Sequence, residues 1–133
     1  MRINRDHILY IEDHEDTREL VTLVLQQKNY EVTTCGTMET GVKLAFENRF
    51  DLYLLDSWLP DGSGLDLCKR IREFDGLTPI LFYSAAAYEV DKDLALECGA
   101  QGYLIKPTQN SELCDLVSVL IDRSRQTAIS AQC

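Results

Sequence analysis

The chain has little of what several functional classes require. Its 133 residues include only two histidines, three prolines and one tryptophan, and the five cysteines form no C-x-x-C motif. Neither a zinc site nor a disulfide framework is therefore indicated, and we expect reduced thiols in a cytoplasmic protein. No apolar run approaches the ~20 residues that cross a bilayer, so we expect no membrane association. Acidic residues interrupt the first apolar stretch, which argues against a signal peptide.

Positive charge is also scarce. The chain has 13 lysines and arginines against 22 acidic residues, which gives a formal net charge of −9. Nucleic acids attract basic surfaces, so we expect no direct nucleic-acid binding. The hydrophobic content of 45% is ordinary for a globular protein, and the length is that of one domain with a substantial core.

Strand and helix patterns alternate from one end of the chain to the other. Short apolar or β-branched runs predict five strands, at residues 8–11, 31–35, 52–55, 79–83 and 103–105. Apolar spacings of three to four predict helices at residues 16–29, 37–48, 65–74 and 89–98, and a last helix from about residue 111. This order predicts an α/β fold, with a doubly wound five-stranded parallel sheet between helices.

The first and last helices are expected to bury one apolar stripe each. The predicted stripe of the first helix is Leu20, Leu23, Val24 and Gln27, and that of the last helix is Leu113, Leu116, Val117, Leu120 and Ile121. We expect one domain over residues 1–125 and a short flexible tail over residues 126–133, since the tail is polar and small.

Four of the predicted strands are followed by a residue that phosphoryl chemistry can use. These residues are the pair Glu12 and Asp13, then Asp56, Ser84 and Lys106. In open parallel sheets, ligands bind beyond the carboxyl ends of the strands. Three carboxylates, a hydroxyl and an ammonium group are therefore expected to meet at one edge of the sheet.

This set of side chains suits a phosphoryl acceptor. The Asp56 carboxylate can attack phosphorus and form an acyl phosphate, but its charge repels an incoming phosphoryl group. Glu12 and Asp13 supply further hard oxygen ligands, which suit Mg²⁺. Lys106 can pair with a phosphoryl oxygen, and Ser84 can donate a hydrogen bond to another.

Taken in order, these motifs resemble the receiver domain of two-component response regulators over about residues 6–123. Asp56 follows Asp13 by 43 residues, Ser84 follows Asp56 by 28, and Lys106 follows Ser84 by 22. Proline and glycine also stand four and eight residues beyond Asp56, and a proline follows Lys106. The resemblance implies a flavodoxin-like receiver fold with strand order 2-1-3-4-5.

The resemblance also implies a chemical role for each site residue. Asp56 would accept the phosphoryl group from a histidine kinase or a histidine phosphotransfer protein. Mg²⁺ would be bound by Asp13, by Asp56 and by the backbone carbonyl of Trp58, with Glu12 acting through water. Such a domain catalyses at most its own phosphorylation and slow autodephosphorylation, and is not a conventional turnover enzyme.

Two further positions carry the response to phosphorylation in that family. Ser84 would follow the phosphoryl group, and Tyr103 would turn inward, which changes the surface that binds a downstream protein. A dimer that forms on phosphorylation is one possible consequence. Trp58 and Ala86, two residues beyond Asp56 and Ser84, cannot orient an attacking water, so slow loss of the phosphoryl group is expected.

Other functions remain open on the sequence. One is a binding-only pseudo-receiver, and another is a receiver fragment of a larger response regulator. A flavodoxin-like cofactor binder is disfavoured, because the acidic first loop would repel phosphate. An aspartyl phosphatase would need an acid two residues after Asp56, where Trp58 stands.

Overall fold

The computed structural model describes residues 5–132, with side chains described from residue 5 to residue 127. The strands are β1 (His7–Ile11), β2 (Glu31–Cys35), β3 (Leu52–Leu55), β4 (Trp58–Leu59), β5 (Gly62–Ser63), β6 (Ile80–Ser84) and β7 (Gly102–Ile105). The helices are α1 (Glu15–Gln27), α2 (Met38–Glu47), α3 (Gly64–Arg72), α4 (Glu89–Glu97) and α5 (Asn110–Gln132).

Five of these strands form one parallel sheet in the order β2-β1-β3-β6-β7. β4 and β5 are not part of this sheet, so β6 and β7 are its fourth and fifth strands and the order is the predicted 2-1-3-4-5. The predicted fold is confirmed. β4 and β5, each two residues long, pair as an antiparallel hairpin shortly after β3. The sequence patterns above predict no strand between residues 55 and 65, because each of these two strands is only two residues long and proline and glycine interrupt the segment.

The sheet separates two buried layers. Alternate residues of each strand face opposite sides, so Leu9 and Ile11 of β1 belong to one layer and Ile8 and Tyr10 to the other. The first layer packs under α2, α3 and α4, and the second under α1 and α5. Because both faces are covered, the central strands are apolar except at end residues such as His7 and Ser84, and polar groups collect at the strand ends.

The predicted buried stripe of α1 is wrong for Leu20, Leu23 and Gln27, and only Val24 packs against the core, partly buried. Leu20 is 59% exposed and Leu23 is 57% exposed, whereas Val21 and Leu25 lie in the core. Residues 20–25 of this helix are apolar apart from one threonine, so their spacing does not fix which face turns inward. In α5, by contrast, all the predicted stripe residues are buried apart from the partly buried Leu116.

The last helix extends further than the predicted domain. Residues 126–132, expected as a short flexible tail, continue α5 as helix, and Cys133 lies outside the described residues. The segment contains neither glycine nor proline, so nothing in its sequence ends the helix. Within the described residues, no helix is long and apolar enough to cross a membrane.

Candidate functional site

Three carboxylates meet at the carboxyl ends of β1 and β3. Glu12, Asp13 and Asp56 each offer an oxygen within 4.8 Å of the others. The Asp56 amide donates a hydrogen bond to the Ile11 carbonyl at 3.1 Å, which holds the two strand ends side by side. Glu12 is 1% exposed, whereas Asp13 faces solvent. The cluster is therefore closed on the sheet side and open on the other, as a cation site with water ligands requires.

Lys106 follows the edge strand β7 and reaches this cluster across the carboxyl end of β6. Its backbone amide donates to the Ser84 carbonyl at 2.8 Å, which fixes the lysine at the end of β7. Its ammonium group pairs with Glu12 Oε1 and lies 3.8 Å from Asp56 Oδ1. Asp56 Oδ1 also accepts a hydrogen bond from the Ser57 amide at 2.8 Å. The predicted acids and lysine are thus brought together.

The buried Glu12 and the half-buried Asp56 influence each other's pKa. Burial raises the pKa of Asp56 to about 7, and the neighbouring Glu12 adds to the rise while Lys106 opposes it. Burial also acts to raise the pKa of Glu12, but hydrogen bonding with Asp56 and Lys106 outweighs it and leaves that pKa lowered. As the pH falls, Asp56 therefore takes up a proton before Glu12 does, and Glu12 stays ionised against Lys106 at neutral pH.

A short hydrogen-bond chain leads from the end of β6 to β7. The buried hydroxyl of Ser84 accepts from the Ala86 amide at 3.1 Å, and the Ala86 carbonyl accepts from the Tyr103 hydroxyl at 2.7 Å. The Tyr103 ring stacks on Phe82 with 5.8 Å between centroids. One residue, Ala86, thus joins the two predicted switch residues, Ser84 and Tyr103.

The loop beyond Asp56 is held close to the site by a glycine. A Cβ built on Gly64 would lie 2.3 Å from the Asp56 carbonyl oxygen, so only glycine fits there. The Gly64 amide also donates to the Ser57 carbonyl at 2.8 Å. Trp58, the first residue of β4, is 70% exposed. The role of the Trp58 carbonyl as a ligand stays a prediction.

Two residues at the site were not found by sequence reasoning. Arg18 of α1 donates from Nη1 to the Glu12 carbonyl at 2.8 Å, and nothing distinguishes it from other polar residues of that helix. Tyr83 presents its ring to the Lys106 ammonium, 5.3 Å from the ring centroid. In the sequence Tyr83 is the last residue of an apolar run and therefore resembles any core aromatic.

A doubly wound sheet with an acid cluster and a lysine at its carboxyl edge defines a receiver-type α/β domain. The sequence profile of the response regulator receiver domain matches residues 8–118. The chain therefore belongs to the response regulator receiver domain family.

Similar proteins support this assignment. Response regulator ArlR of Staphylococcus saprophyticus is 34% identical over 119 residues, which cover 90% of this chain and 54% of ArlR. A putative response regulator from Chloroflexus aurantiacus is 30% identical, with a TM-score of 0.85 over 90% of this chain and 99% of that one. A CheY-like receiver domain from Methanospirillum hungatei shares the fold, with a TM-score of 0.89 at 22% identity, over 93% of this chain and 99% of that one. The chain spans about half the length of the curated relatives it matches.

Proposed function

We propose that this receiver domain is a phosphoacceptor in two-component signalling and takes a phosphoryl group onto Asp56. The observation that carries the proposal is the placement of Lys106 Nζ 3.8 Å from Asp56 Oδ1, beside three carboxylates whose oxygens lie within 4.8 Å. A structural salt bridge would not need two further acids. The arrangement suits a transfer in which a cation and an ammonium group both offset phosphoryl charge.

The donor set fits Mg²⁺. Carboxylate oxygens are the ligands that this ion prefers, and it usually retains several waters. Asp13 and Asp56 would bind it directly, together with the carbonyl of Trp58, and Glu12 would act through water. When bound, the ion supplies positive charge that favours ionised Asp56 and offsets charge on the phosphoryl oxygens.

The chemistry requires Asp56 in its ionised form. A carboxylate oxygen of Asp56 attacks phosphorus of a phosphohistidine, and the new P–O bond forms as the P–N bond breaks. The imidazole leaves with the electron pair of that bond. Lys106 then pairs with a phosphoryl oxygen, and Ser84 donates to another after its hydroxyl releases the Ala86 amide. The donor is a histidine kinase or a histidine phosphotransfer protein.

The hydrogen-bond chain through Ala86 supports a route from the site to the surface. If the Ser84 hydroxyl turns toward the phosphoryl group, its bond to the Ala86 amide is lost. The loop before α4 can then shift, and the bond from Tyr103 to the Ala86 carbonyl shifts with it. The surface formed by α4, β7 and α5 is therefore the one that changes for a downstream protein or a second copy.

Intact-mass analysis tests the proposal. The protein is incubated with acetyl phosphate and Mg²⁺, and the expected product carries a single phosphoryl adduct. Asp56→Asn should abolish the adduct, because an amide is not a nucleophile here. A chelator should suppress it in the wild-type protein. The control Ser63→Ala changes a hydroxyl in β5 and should leave the adduct in place.

The same experiment distinguishes the alternatives. Absence of an adduct in wild-type protein with Mg²⁺ would contradict the proposal and favour a binding-only pseudo-receiver. Release of many phosphates per chain would favour an aspartyl phosphatase. Whether the domain acts alone or within a larger regulator does not change the expected adduct, since the site lies wholly within the described residues.

A further inference from the structure

Tyr83 lies directly under the lysine of the site. It is the fourth residue of β6 and precedes Ser84, and its side chain belongs to the buried layer under α1 and α5. The residue is only 7% exposed. The Lys106 ammonium lies 5.3 Å from the centroid of its ring. A cation this close to an aromatic ring is within the range of a cation–π interaction.

The path of Lys106 explains why a support of this kind matters. Lys106 follows β7, whereas its partner Glu12 follows β1, and β6 and β3 lie between them. Three strand spacings amount to roughly 14 Å, so the lysine side chain has to extend over β6 toward the site. Tyr83 is on β6, beneath this path. A long flexible side chain held in one direction loses much rotamer freedom, and a contact along its length offsets part of that loss.

The ring supplies attraction without competing as a counter-ion. Its negative face attracts the ammonium, and the low exposure of both groups limits screening by solvent. Burial raises the pKa of Tyr83, while the charge of Lys106 and the Thr108 backbone oppose the rise. The hydroxyl therefore stays protonated and the ring uncharged. In the resting site Glu12 also holds the ammonium, whereas after a shift to a phosphoryl oxygen the contact with Glu12 is lost and the ring contact is retained. Loss of the ring should therefore weaken the phosphoryl-bound arrangement more than the resting one.

We propose that Tyr83 is a positioning residue for Lys106, whose ring guides the ammonium as it moves from Glu12 to a phosphoryl oxygen on Asp56. The inference rests on the proposed function. A purely structural role would require only a large apolar side chain at this position. Leucine at position 83 should preserve a purely structural role, but it should not preserve the positioning of Lys106.

Two substitutions separate these roles. Tyr83→Phe keeps the ring and Tyr83→Leu removes it, and both keep the position apolar. The first measurement is the NMR shift of the Lys106 ε-methylene protons, which the ring should move upfield. The second is the affinity for beryllofluoride with Mg²⁺, since beryllofluoride binds a carboxylate in the geometry of a phosphoryl group. Phe50→Leu is the matched control, because it removes a buried ring at the opposite end of β3.

Both the Lys106 NMR shift and the beryllofluoride affinity should depend on whether residue 83 is aromatic. Tyr83→Leu should abolish the upfield shift and weaken beryllofluoride binding about three- to tenfold. Tyr83→Phe should retain the shift and bind within about twofold of wild type. Phe50→Leu should lower thermal stability and leave the affinity unchanged.

Three results would overturn the inference. One is a wild-type Lys106 shift equal to that of Tyr83→Leu. The second is equal weakening by Tyr83→Phe and Tyr83→Leu, and the third is an equal loss of affinity in Phe50→Leu. A wild-type protein that takes neither beryllofluoride nor a phosphoryl group would overturn the proposed function and the transfer role of Tyr83, even with the upfield shift intact.

Discussion

Replacing Asp56 by asparagine should stabilise the protein at neutral pH when no divalent cation is bound. Burial, followed by the neighbouring Glu12, raises the pKa of Asp56 to about 7. The folded protein therefore prefers the neutral acid. Asparagine has nearly the same shape, carries no charge, and can still accept the hydrogen bond from the Ser57 amide. It should imitate protonated Asp56 at every pH.

The size of the effect follows from the two pKa values. An unfolded aspartate titrates near 3.9, and each unit of difference corresponds to about 1.4 kcal/mol. A folded value of about 7 gives an upper limit of about 4 kcal/mol for an isolated group. The lowered pKa of Glu12 reduces this upper limit, because the stabilities of ionised Glu12 and of protonated Asp56 depend on each other. We therefore expect about 2 kcal/mol.

The sign of the pH dependence is fixed by the same values. The folded pKa of Asp56 lies above the unfolded one, so folding is favoured by proton binding. The stabilisation that the folded protein gains from protonated Asp56 is complete below about pH 4 and is lost as the pH rises through about 7. Wild-type protein and Asp56→Asn should therefore match near pH 4. Their free energies of unfolding should diverge in favour of the variant up to about pH 8.

Urea unfolding in the presence of a chelator measures this difference. Both proteins are compared between pH 4 and 8, with Asp13→Asn as a control that removes one acid from an exposed position of the same cluster. Mg²⁺ at saturation should narrow the gap, because it stabilises the ionised wild-type site. A gap that is constant with pH, or that Asp13→Asn reproduces, would refute the reasoning, since the effect would then come from net charge alone.

Three further changes have definite expected outcomes. In the presence of a chelator, Lys106→Met should lower the free energy of unfolding by about 2 kcal/mol, because it leaves Glu12 buried without its counter-charge. An unchanged urea midpoint would contradict this. Tyr10→Phe should raise the free energy of unfolding by about 1 kcal/mol, since the buried Tyr10 hydroxyl makes no hydrogen bond of normal geometry among the described residues and lies near the charge of Glu12, and a lowered urea midpoint would contradict this. Trp58→Asn should shorten the lifetime of phosphorylated Asp56 roughly tenfold, because an amide can orient water, and an equal or longer lifetime by mass analysis would refute it.

The sheet and its site were predictable because both depend on local patterns. A run such as Leu52–Leu55 is apolar at every position, which occurs when a strand is covered on both faces, and a following acid must lie at the strand end. The alternation of strands and helices then fixes a parallel sheet, whose carboxyl ends share one edge. Asp56 and Lys106 could therefore be placed at the same edge without knowledge of any distance.

Contacts that depend on helix phase or side-chain path were not predictable. The near-continuous apolar residues of α1 allow several buried stripes, and tertiary packing selects Val21 and Leu25 rather than Leu20 and Leu23. Lys106 lies nearer to Glu12 than to Asp56, and this preference depends on the path of its side chain, which the sequence does not contain. A sequence shows the residue types at a sheet edge, but it does not show how they divide the charge among them.

That division of charge limits how the site can work. Glu12 is almost fully buried and ionised, so its charge needs a partner at all times. Lys106 is that partner in this structure, and the same ammonium is the one proposed to serve the phosphoryl group on Asp56. The lysine can leave Glu12 without a large cost only if a bound cation replaces its charge or if Glu12 takes up a proton. If a cation binds as proposed, its binding and the movement of Lys106 would be thermodynamically linked, and each would strengthen the other.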